Sequence, residues 1–254
     1  MLLPIGQSES RFQRWWRPGL SAVLGGVLLI FILRPEPPPP PYIPAARDHS
    51  FLADFDSTKL ESCLAEGSQV DDWRFAFSGF GCNAVSNFDD RRWLHIQPKA
   101  STRAGESHSA LAVGPLHGSS LTLTGDVLTM RQLRSGSTPQ PWETGWVLWG
   151  FRDLNHFYYL AIKTNGWEIG KIDSDHKGRQ RYLASGSEVK AEMLKPNQFR
   201  IVQEGPTMSV EVDGKNLAKI TDSERPYTQG RVAVYCQDAD ALFGAIRAAR
   251  FSGK

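Results

Sequence analysis

Three carboxylates lie in the most aromatic part of the chain, at Glu143, Glu168 and Asp173. Two carboxylates on facing strands could serve as the general acid and general base that hydrolytic chemistry requires. No spacing rule brings any two of these three together, however, and a solvated sheet face is the simpler explanation. The sequence therefore predicts no catalytic residues.

Aromatic side chains offer a different chemistry, because their faces stack on sugar rings. The chain has 8 Trp, although most aromatic residues of a β-protein belong to its core. Trp142 is the best candidate for an exposed ring, since it follows the loop 136–141 instead of lying within a strand. The residues predicted to bind carbohydrate or a partner are Trp142, Glu143, Trp149, Trp167 and His156.

Other classes of site are poorly supported. The formal net charge is only +2, so nucleic acid binding is not expected. The six histidines form no HxH or HExxH spacing, and the three cysteines form no CxxC, so neither a zinc site nor a redox motif is predicted. Cys63 and Cys82 lie in a loop-rich region and could form a disulfide in an oxidising compartment, whereas Cys236 reads as a small buried residue.

The segment 145–173 consists of three aromatic and aliphatic runs separated by turn signals, which is typical of an antiparallel sheet. Arg152–Asn155 forms the first break. Asn165-Gly166 forms the second and predicts a type I′ turn, as does Asp213-Gly214 further on. Lys59–Glu66 is the only short stretch that favours a helix. With ten to twelve strands and no helical layer, we expect an all-β fold made of two antiparallel sheets.

The N-terminus carries an uncharged apolar run, Leu20–Leu33. Three arginines precede this run, and the predicted membrane-interface residues are Trp15, Trp16, Arg17 and Arg34. This pattern predicts one transmembrane helix with a cytoplasmic N-terminus. The run reaches only about 22 Å, short of the ~30 Å hydrocarbon core, so a cleaved signal peptide or a buried helix are the alternatives.

Three segments follow from these patterns. Residues 1–34 are predicted to be a short cytoplasmic tip and anchor, 35–49 a proline-rich spacer, and 50–254 one β-sandwich domain. Proline-rich chain extends by ~3 Å per residue, so the spacer would hold the domain about 30 Å from the bilayer. The expected location is therefore the cell inner membrane, with the C-terminal domain in the periplasm.

Several segments resemble a known group of proteins. These are 141–149 (PWETGWVLW), His156–Tyr159, 165–168 (NGWE) and 222–235 (DSERPYTQGRVAVY). They are similar to concanavalin A-like lectin, glucanase and laminin-G-like jelly-roll sandwiches, and most similar to the bacterial group called DUF1080 or family-16-glycoside-hydrolase-related. The resemblance covers roughly residues 51–251. It implies a jelly-roll fold, which hosts lectins, adhesion modules, glucanases and accessory domains alike.

Two sites implied by this resemblance can be compared with the sequence. Glucanases of this architecture carry Glu-x-Asp-x-x-Glu on one strand, but here Glu211-Val212-Asp213 runs into a turn and Asn216 replaces the last carboxylate. Related sandwiches also hold calcium between their first and last strands. The aspartates that could serve such a site here are Asp54, Asp56, Asp238 and Asp240.

The leading hypothesis is a membrane-anchored, non-catalytic β-sandwich module that acts as an accessory or stabilising subunit of a membrane protein complex. Its partners would be the lipid bilayer and other integral membrane subunits. A lectin-like module that binds carbohydrate or cell wall is the first alternative. A glycoside-processing hydrolase is the second alternative, although the expected catalytic motif is absent.

Overall fold

A computed structural model describes residues 51–53, 55 and 60–249. The predicted anchor with Trp15, Trp16, Arg17 and Arg34, the spacer 35–49, and the calcium candidates Asp54 and Asp56 lie outside these residues. No helix of the described part is long and apolar enough to cross a bilayer.

The described residues form seventeen β-strands. In chain order they are β1 Phe51–Ala53, β2 Glu61–Leu64, β3 Gln69–Val70, β4 Trp73–Phe77, β5 Cys82–Phe88, β6 Arg91–Gln97, β7 Ser109–His117, β8 Ser120–Gln132, β9 Gly145–Asp153, β10 His156–Lys163, β11 Gly166–Asp173, β12 Gln180–Gly186, β13 Asn197–Glu204, β14 Thr207–Val212, β15 Lys215–Thr221, β16 Gly230–Gln237 and β17 Ala239–Ala249.

Two antiparallel sheets make up the fold. Sheet A has nine strands in the order β15-β14-β13-β8-β17-β6-β5-β2, with β1 paired to β17. Sheet B has eight strands in the order β12-β11-β10-β9-β16-β7-β4-β3. The inner faces bury one continuous core that includes Trp73, Trp149 and Phe243. This arrangement is the all-β, jelly-roll-like sandwich that the sequence predicts.

The three runs of the aromatic segment are β9, β10 and β11, as predicted. The turn between β10 and β11 differs from the prediction, because its residues are Thr164 and Asn165 and neither has a positive φ. Gly166 instead allows β11 to approach β12 closely, since a Cβ there would collide with the carbonyl oxygen of Gly186 in β12. Asp213-Gly214 does form the predicted type of turn, with φ of 50° and 75°.

The predicted helix at Lys59–Glu66 is wrong, because Glu61–Leu64 is an edge strand paired to β5. An eight-residue helix is marginal by itself, and pairing with a neighbouring strand is the more stable alternative. The predicted cysteine pair joins this edge to β5. Cys63 and Cys82 form a disulfide with a Cα–Cα distance of 4.5 Å, while Cys236 is a buried free thiol.

Strands β7, β9, β11 and β17 all end at the same end of the sandwich, as the antiparallel registers require. The register of β1 places Phe51 opposite Ala248 and Ala53 opposite Ile246. Because Ala248 lies near the end of β17, Phe51, the first described residue, lies at this same end.

At this end the imidazole of His117 links two strands of sheet B. Its Nδ1 lies 2.9 Å from the Gly118 carbonyl oxygen, and its Nε2 accepts a 2.9 Å hydrogen bond from the Gly150 backbone N–H in β9. A neutral imidazole satisfies both contacts, since one nitrogen donates and the other accepts. Burial lowers the pKa of His117 below its ordinary 6.5, against a smaller opposing effect of the Gly118 carbonyl.

This arrangement predicts a pH-dependent stability. Because the folded-state pKa is lowered, the contribution of neutral His117 is complete above pH 6.5 and is lost as the pH falls through the folded pKa. Protonation removes one hydrogen bond, so we expect a loss of about 0.5–1.5 kcal/mol. Denaturant unfolding of the wild type and of His117→Gln on both sides of pH 6.5 measures this loss of unfolding free energy. Parallel losses in the two proteins would assign the titration to another group.

Candidate functional site

A pocket of about 380 Å³ opens where β9 and β11 end and where the loop between β15 and β16 crosses them. We call it the Tyr227 pocket. Its lining residues are Arg152, Asp153, His156, Asp173, Asp175, Arg225, Pro226 and Tyr227. Six of these eight side chains are charged or titratable at moderate pH, so the pocket is polar with a single aromatic ring.

A buried lysine holds the floor of the Tyr227 pocket. The side chain of Lys171 is 0% exposed, and its Nζ donates to Asp222 Oδ2 at 2.8 Å and to the carbonyl oxygens of Glu224 and Arg225, both at 2.7 Å. These bonds use all three donors of the ammonium group. Lys171 Nζ also lies 4.3 Å from the centroid of the Tyr227 ring. One cation therefore fixes the loop that carries Arg225 and Tyr227.

Asp222 is the acceptor at the centre of this floor. Besides Lys171, it accepts a 2.6 Å hydrogen bond from the Tyr158 hydroxyl and a 3.0 Å bond from the Glu224 backbone N–H. Burial alone would raise the pKa of Asp222, but the hydrogen bonds from Lys171 and Tyr158 outweigh it and hold that pKa below its usual range. Asp222 is therefore a permanent anion inside the fold.

The rim of the pocket joins three loops. The imidazole of His156 bridges Asp153, 2.9 Å from Nδ1, and the Ser174 hydroxyl, 2.9 Å from Nε2. Arg225 donates to Asp173 Oδ2 at 2.8 Å. Burial would raise the pKa of Asp173, but the hydrogen bond from Arg225 helps to outweigh this and the pKa is lowered. The rim is thus held in place before any ligand arrives.

Arg152 is the one cation of the rim whose donors are not already used. Its guanidinium carbon lies 4.9 Å from the centroid of the Tyr227 ring, a cation–π contact that uses none of the guanidinium N–H donors. Within the described residues, no hydrogen bond or ion pair joins this guanidinium to another side chain. Arg152 is therefore positioned by stacking, with its N–H groups directed at solvent or a ligand.

Three rim residues could in principle hold a cation. His156, Asp173 and Asp175 offer ligand atoms that all lie within 4.8 Å of one another. Both oxygens of Asp173 are already bonded, to the Asp175 backbone N–H and to Arg225. A metal ion would have to displace Arg225, so this cluster fits hydrogen bonding better than metal binding.

Two of the predicted binding residues are part of the core. Trp149 is 0% exposed and Trp167 is 3% exposed, and both pack between the sheets. Neither ring has a face available to a ligand, so their assignment to a binding surface is wrong. The reason is strand parity, because odd-numbered residues point inward in β11 and, up to Trp149, in β9. Of the predicted set, only His156 lines the Tyr227 pocket.

Glu143, predicted to bind carbohydrate or a partner or to lie on a solvated sheet face, is completely buried. Arg134 donates to Glu143 and also to Asp238, which is completely buried as well. Asp238 accepts further hydrogen bonds from Ser101, Ser107 and the His108 backbone N–H. Burial raises the pKa of Glu143, and the hydrogen bond from Arg134 opposes this. The cluster anchors loops at the opposite end of the sandwich from the Tyr227 pocket.

Asp240, the remaining described calcium candidate, also serves protein donors. His95 Nε2 lies 2.6 Å from one oxygen, and Gln97 and Arg131 donate to the other at 2.8 and 3.1 Å. A calcium ion would have to replace such donors at both Asp238 and Asp240, so these two residues do not fit a calcium site. Calcium binding at Asp54 and Asp56, which lie outside the described residues, stays a prediction.

The three carboxylates of the aromatic segment do not meet. Glu168 and Asp173 lie five positions apart in β11, which is about 16 Å and places them on opposite faces. Glu168 accepts from the Tyr159 hydroxyl at 2.6 Å and from Lys163 at 2.9 Å. Asp213, the end of the incomplete Glu-x-Asp motif, accepts from Asn197 and from the Gln198 backbone N–H at a turn. Each carboxylate thus has a local structural role.

Trp142 is half-buried, against the expectation of an exposed ring. It packs on an aromatic cluster that covers the face of sheet B pointing away from sheet A. Trp146 and Tyr159 stack in this cluster with centroids 4.9 Å apart, and the indole N–H of Trp146 donates to the Trp142 carbonyl oxygen. Trp142 therefore belongs to the border of this packed face.

Sequence reasoning missed most of the pocket. The omitted residues are Arg152, Asp153, Lys171, Asp175, Asp222, Arg225 and Tyr227. One signal was present, because Lys171 follows Trp167 and Ile169 on the inward-facing side of β11. A charged residue at such a position requires a buried partner.

No protein-family model matches this chain, and no curated protein matches it either. Membership of the DUF1080 group therefore stays a prediction.

Solved structures are similar to it in fold. The carbohydrate binding module CBM66 from Bacillus subtilis has a TM-score of 0.51 and 10% identity, covering 70% of this chain and 95% of that chain. A protein of unknown function with a galectin-like fold from Bacillus subtilis has a TM-score of 0.51 and 14% identity. The match covers 76% of this chain and 97% of that chain. A sialidase has a TM-score of 0.51 and 10% identity, covering 80% of this chain but only 18% of its own. The chain therefore has the lectin-type, concanavalin A-like β-sandwich fold.

Proposed function

We propose that this protein is a non-catalytic carbohydrate-binding module whose Tyr227 pocket holds one sugar unit. The observation that carries the proposal is the buried Lys171–Asp222 pair, which fixes a polar rim around an open pocket. The volume of the Tyr227 pocket, about 380 Å³, lies within the usual range for small-ligand sites. The CBM66 structure, a carbohydrate binding module of similar fold, supports the same class of ligand.

The chemistry of the rim suits sugar hydroxyls. A hydroxyl group both donates and accepts, and the rim offers carboxylates that accept and cations that donate. Asp153 and Asp175 are exposed acceptors, and Arg152 is an exposed donor held over an aromatic ring. Two cations and three carboxylates nearly balance, which favours a neutral sugar over a strongly charged one.

The same rim argues against hydrolysis. A glycosidase needs one carboxyl group whose pKa is raised, so that it can act as a general acid. The pKa of Asp173 is lowered by Arg225, which keeps this group ionised. The raised pKa of Glu143 belongs to a completely buried residue at the other end of the sandwich. We therefore propose binding without catalysis.

The predicted anchor and spacer complete the proposal. They would tether the module to the inner membrane and hold it on the periplasmic side, where cell-wall and surface glycans are within reach. The role of accessory subunit in a membrane protein complex belongs to the same proposal, since a tethered module can bind glycan within a larger assembly. Gentle detergent extraction followed by native mass spectrometry tests the subunit role. A chain detected only at its own mass would count against this role.

Substitutions at the rim test the binding site. We expect Arg152→Ala and Asp175→Asn each to weaken sugar binding about tenfold, which corresponds to the loss of one charge-assisted hydrogen bond. Both side chains are exposed, so the free energy of unfolding should change by less than about 0.5 kcal/mol. Calorimetric titration of the full-length chain with neutral tetrasaccharides of glucose, N-acetylglucosamine, mannose and galactose measures the effect.

Arg200→Ala is the matched control, because Arg200 is an exposed arginine on sheet A. It should bind as the wild type does. Because detergents with sugar headgroups would compete, the chain is kept in a zwitterionic detergent. Unchanged affinity in both rim variants would exclude the Tyr227 pocket as the binding site.

A further inference from the structure

The opposite end of the sandwich carries an aromatic ring that the proposed function does not use. The side chain of Phe80 is 77% exposed, the largest exposed fraction among the large hydrophobic residues in the described part of the chain. It borders a second pocket of about 410 Å³, with the loop 103–108 on the other side. A single exposed phenylalanine is ordinary at a protein surface, but this ring also lines a pocket and so offers its apolar face to a ligand there.

The turn that presents Phe80 is rigid. Phe80 has a φ of 62°, and it lies between two glycines whose positions admit no side chain. A Cβ on Gly79 would collide with the Ser109 carbonyl oxygen, and one on Gly81 with that of Gln97. Directly after the turn, Cys82 is joined by the disulfide to Cys63 in β2. The ring is therefore held in solvent by its backbone.

The facing loop is equally well ordered. Glu106 accepts backbone hydrogen bonds from Thr102 at 2.9 Å and Arg103 at 3.1 Å, and these bonds, Thr102 first, lower the pKa of Glu106. His108 lies edge-on to Phe80 with ring centroids 5.9 Å apart. Asp238 stabilises the loop by accepting hydrogen bonds from the Ser107 hydroxyl and from the His108 backbone N–H. We call Phe80 and this loop the Phe80 site.

The Phe80 site is remote from the Tyr227 pocket. Strands β7 and β9 begin beside it and end beside the Tyr227 pocket. Nine residues of strand span roughly 30 Å, so one small ligand cannot touch both.

We propose that the Phe80 site is a second carbohydrate-binding site, in which the apolar face of a neutral sugar ring stacks on Phe80. Phe80 is the largest aromatic ring that lines this pocket, and apart from Ala104 and Gly105 the rest of its lining is polar, which suits hydroxyl groups around a stacked ring. Arg103, with an 82% exposed side chain, is the donor placed to reach those hydroxyls. One cation and one carboxylate leave the site uncharged overall. The inference does not rest on the Tyr227 pocket.

Three substitutions at one position separate stacking from other contacts. Phe80→Ala should weaken binding at this site about tenfold or more. Phe80→Trp should retain it, because an aromatic face remains. Phe80→Leu should behave like Phe80→Ala if the ring face matters, and like the wild type if only apolar area does. The last result would overturn the stacking proposal.

Combining both sites makes their failures distinguishable. The full-length wild type, Arg152→Ala, Phe80→Ala and the double variant are titrated with the same four neutral tetrasaccharides at millimolar concentration. Two sites predict that each single variant weakens one of two binding events about tenfold and that the double variant weakens both. Weaker binding by Arg152→Ala with wild-type binding by Phe80→Ala overturns the Phe80 site and leaves the proposed function standing. The reverse pattern overturns the Tyr227 pocket alone, and no binding by the wild type overturns both.

Discussion

Replacing Lys171 with methionine is expected to lower the free energy of unfolding by about 3–5 kcal/mol. Methionine fills a similar volume but leaves the buried carboxylate of Asp222 with only the longer 3.3 Å contact to Arg181 as its ion pair. It also removes the Lys171 donor from the Arg225 carbonyl oxygen and leaves the Glu224 carbonyl oxygen with only the 3.3 Å contact to Arg181. The cost arises from these uncompensated groups and not from a loss of packing.

Denaturant unfolding of the full-length chain measures this loss. Lys195→Met is the control, since Lys195 pairs with Glu192 on the surface, where both side chains are more than 60% exposed. Exposed pairs contribute less than about 1 kcal/mol. Lys171→Met should also abolish binding at the Tyr227 pocket while sparing the Phe80 site. Equal losses in the two lysine variants would show that the buried ion pair does not support the fold.

Removing the disulfide is expected to cost about 3 kcal/mol, because Cys63 and Cys82 close a loop of 19 residues in the unfolded chain. The double variant Cys63→Ala, Cys82→Ala should therefore unfold at a lower denaturant concentration than the wild type. The edge strand β2 and the turn that carries Phe80 should lose hydrogen-exchange protection first, since the bond joins them.

A reducing agent provides the internal control. It should lower the free energy of unfolding of the wild type by the same amount and leave the double variant unchanged. Cys236 is buried and present in both proteins, so it cannot explain a difference between them. An equal response of the two proteins would contradict the assignment of the effect to this disulfide.

Much of the fold follows from local patterns in the sequence. The runs that became β9, β10 and β11, and the alternation of Met208, Val210 and Val212 in β14, are local properties of strands with one buried face. The edge strand β2 was not predicted, because its partner β5 is distant in sequence and its own residues also suit a helix. The role of Gly166 was misread for a similar reason, since the constraint comes from Gly186 on another strand.

The candidate sites were far less predictable. Glu143 and Trp142 adjoin a loop in the sequence, yet the fold buries the first and half-buries the second. The loop around Tyr227 was assigned only as a resemblance motif, although Lys171 binds two of its carbonyl oxygens from 53 and 54 positions away. Phe80 was not singled out, because a lone phenylalanine between glycines does not show in sequence whether it points inward or outward.

The pairing of β1 with β17 has a mechanical consequence. Phe51 lies at the Tyr227 end of the sandwich and Ala53 further toward the Phe80 end, so β1 runs along the long axis of β17. A load between a tether at Phe51 and a glycan on Phe80 would pull β1 lengthwise along its partner. In this shear geometry the interstrand hydrogen bonds bear the force together, whereas a pull from the side would open them one at a time. A tether that precedes Phe51, as predicted, would therefore load β1 in the direction that best resists extraction by a ligand at the far end.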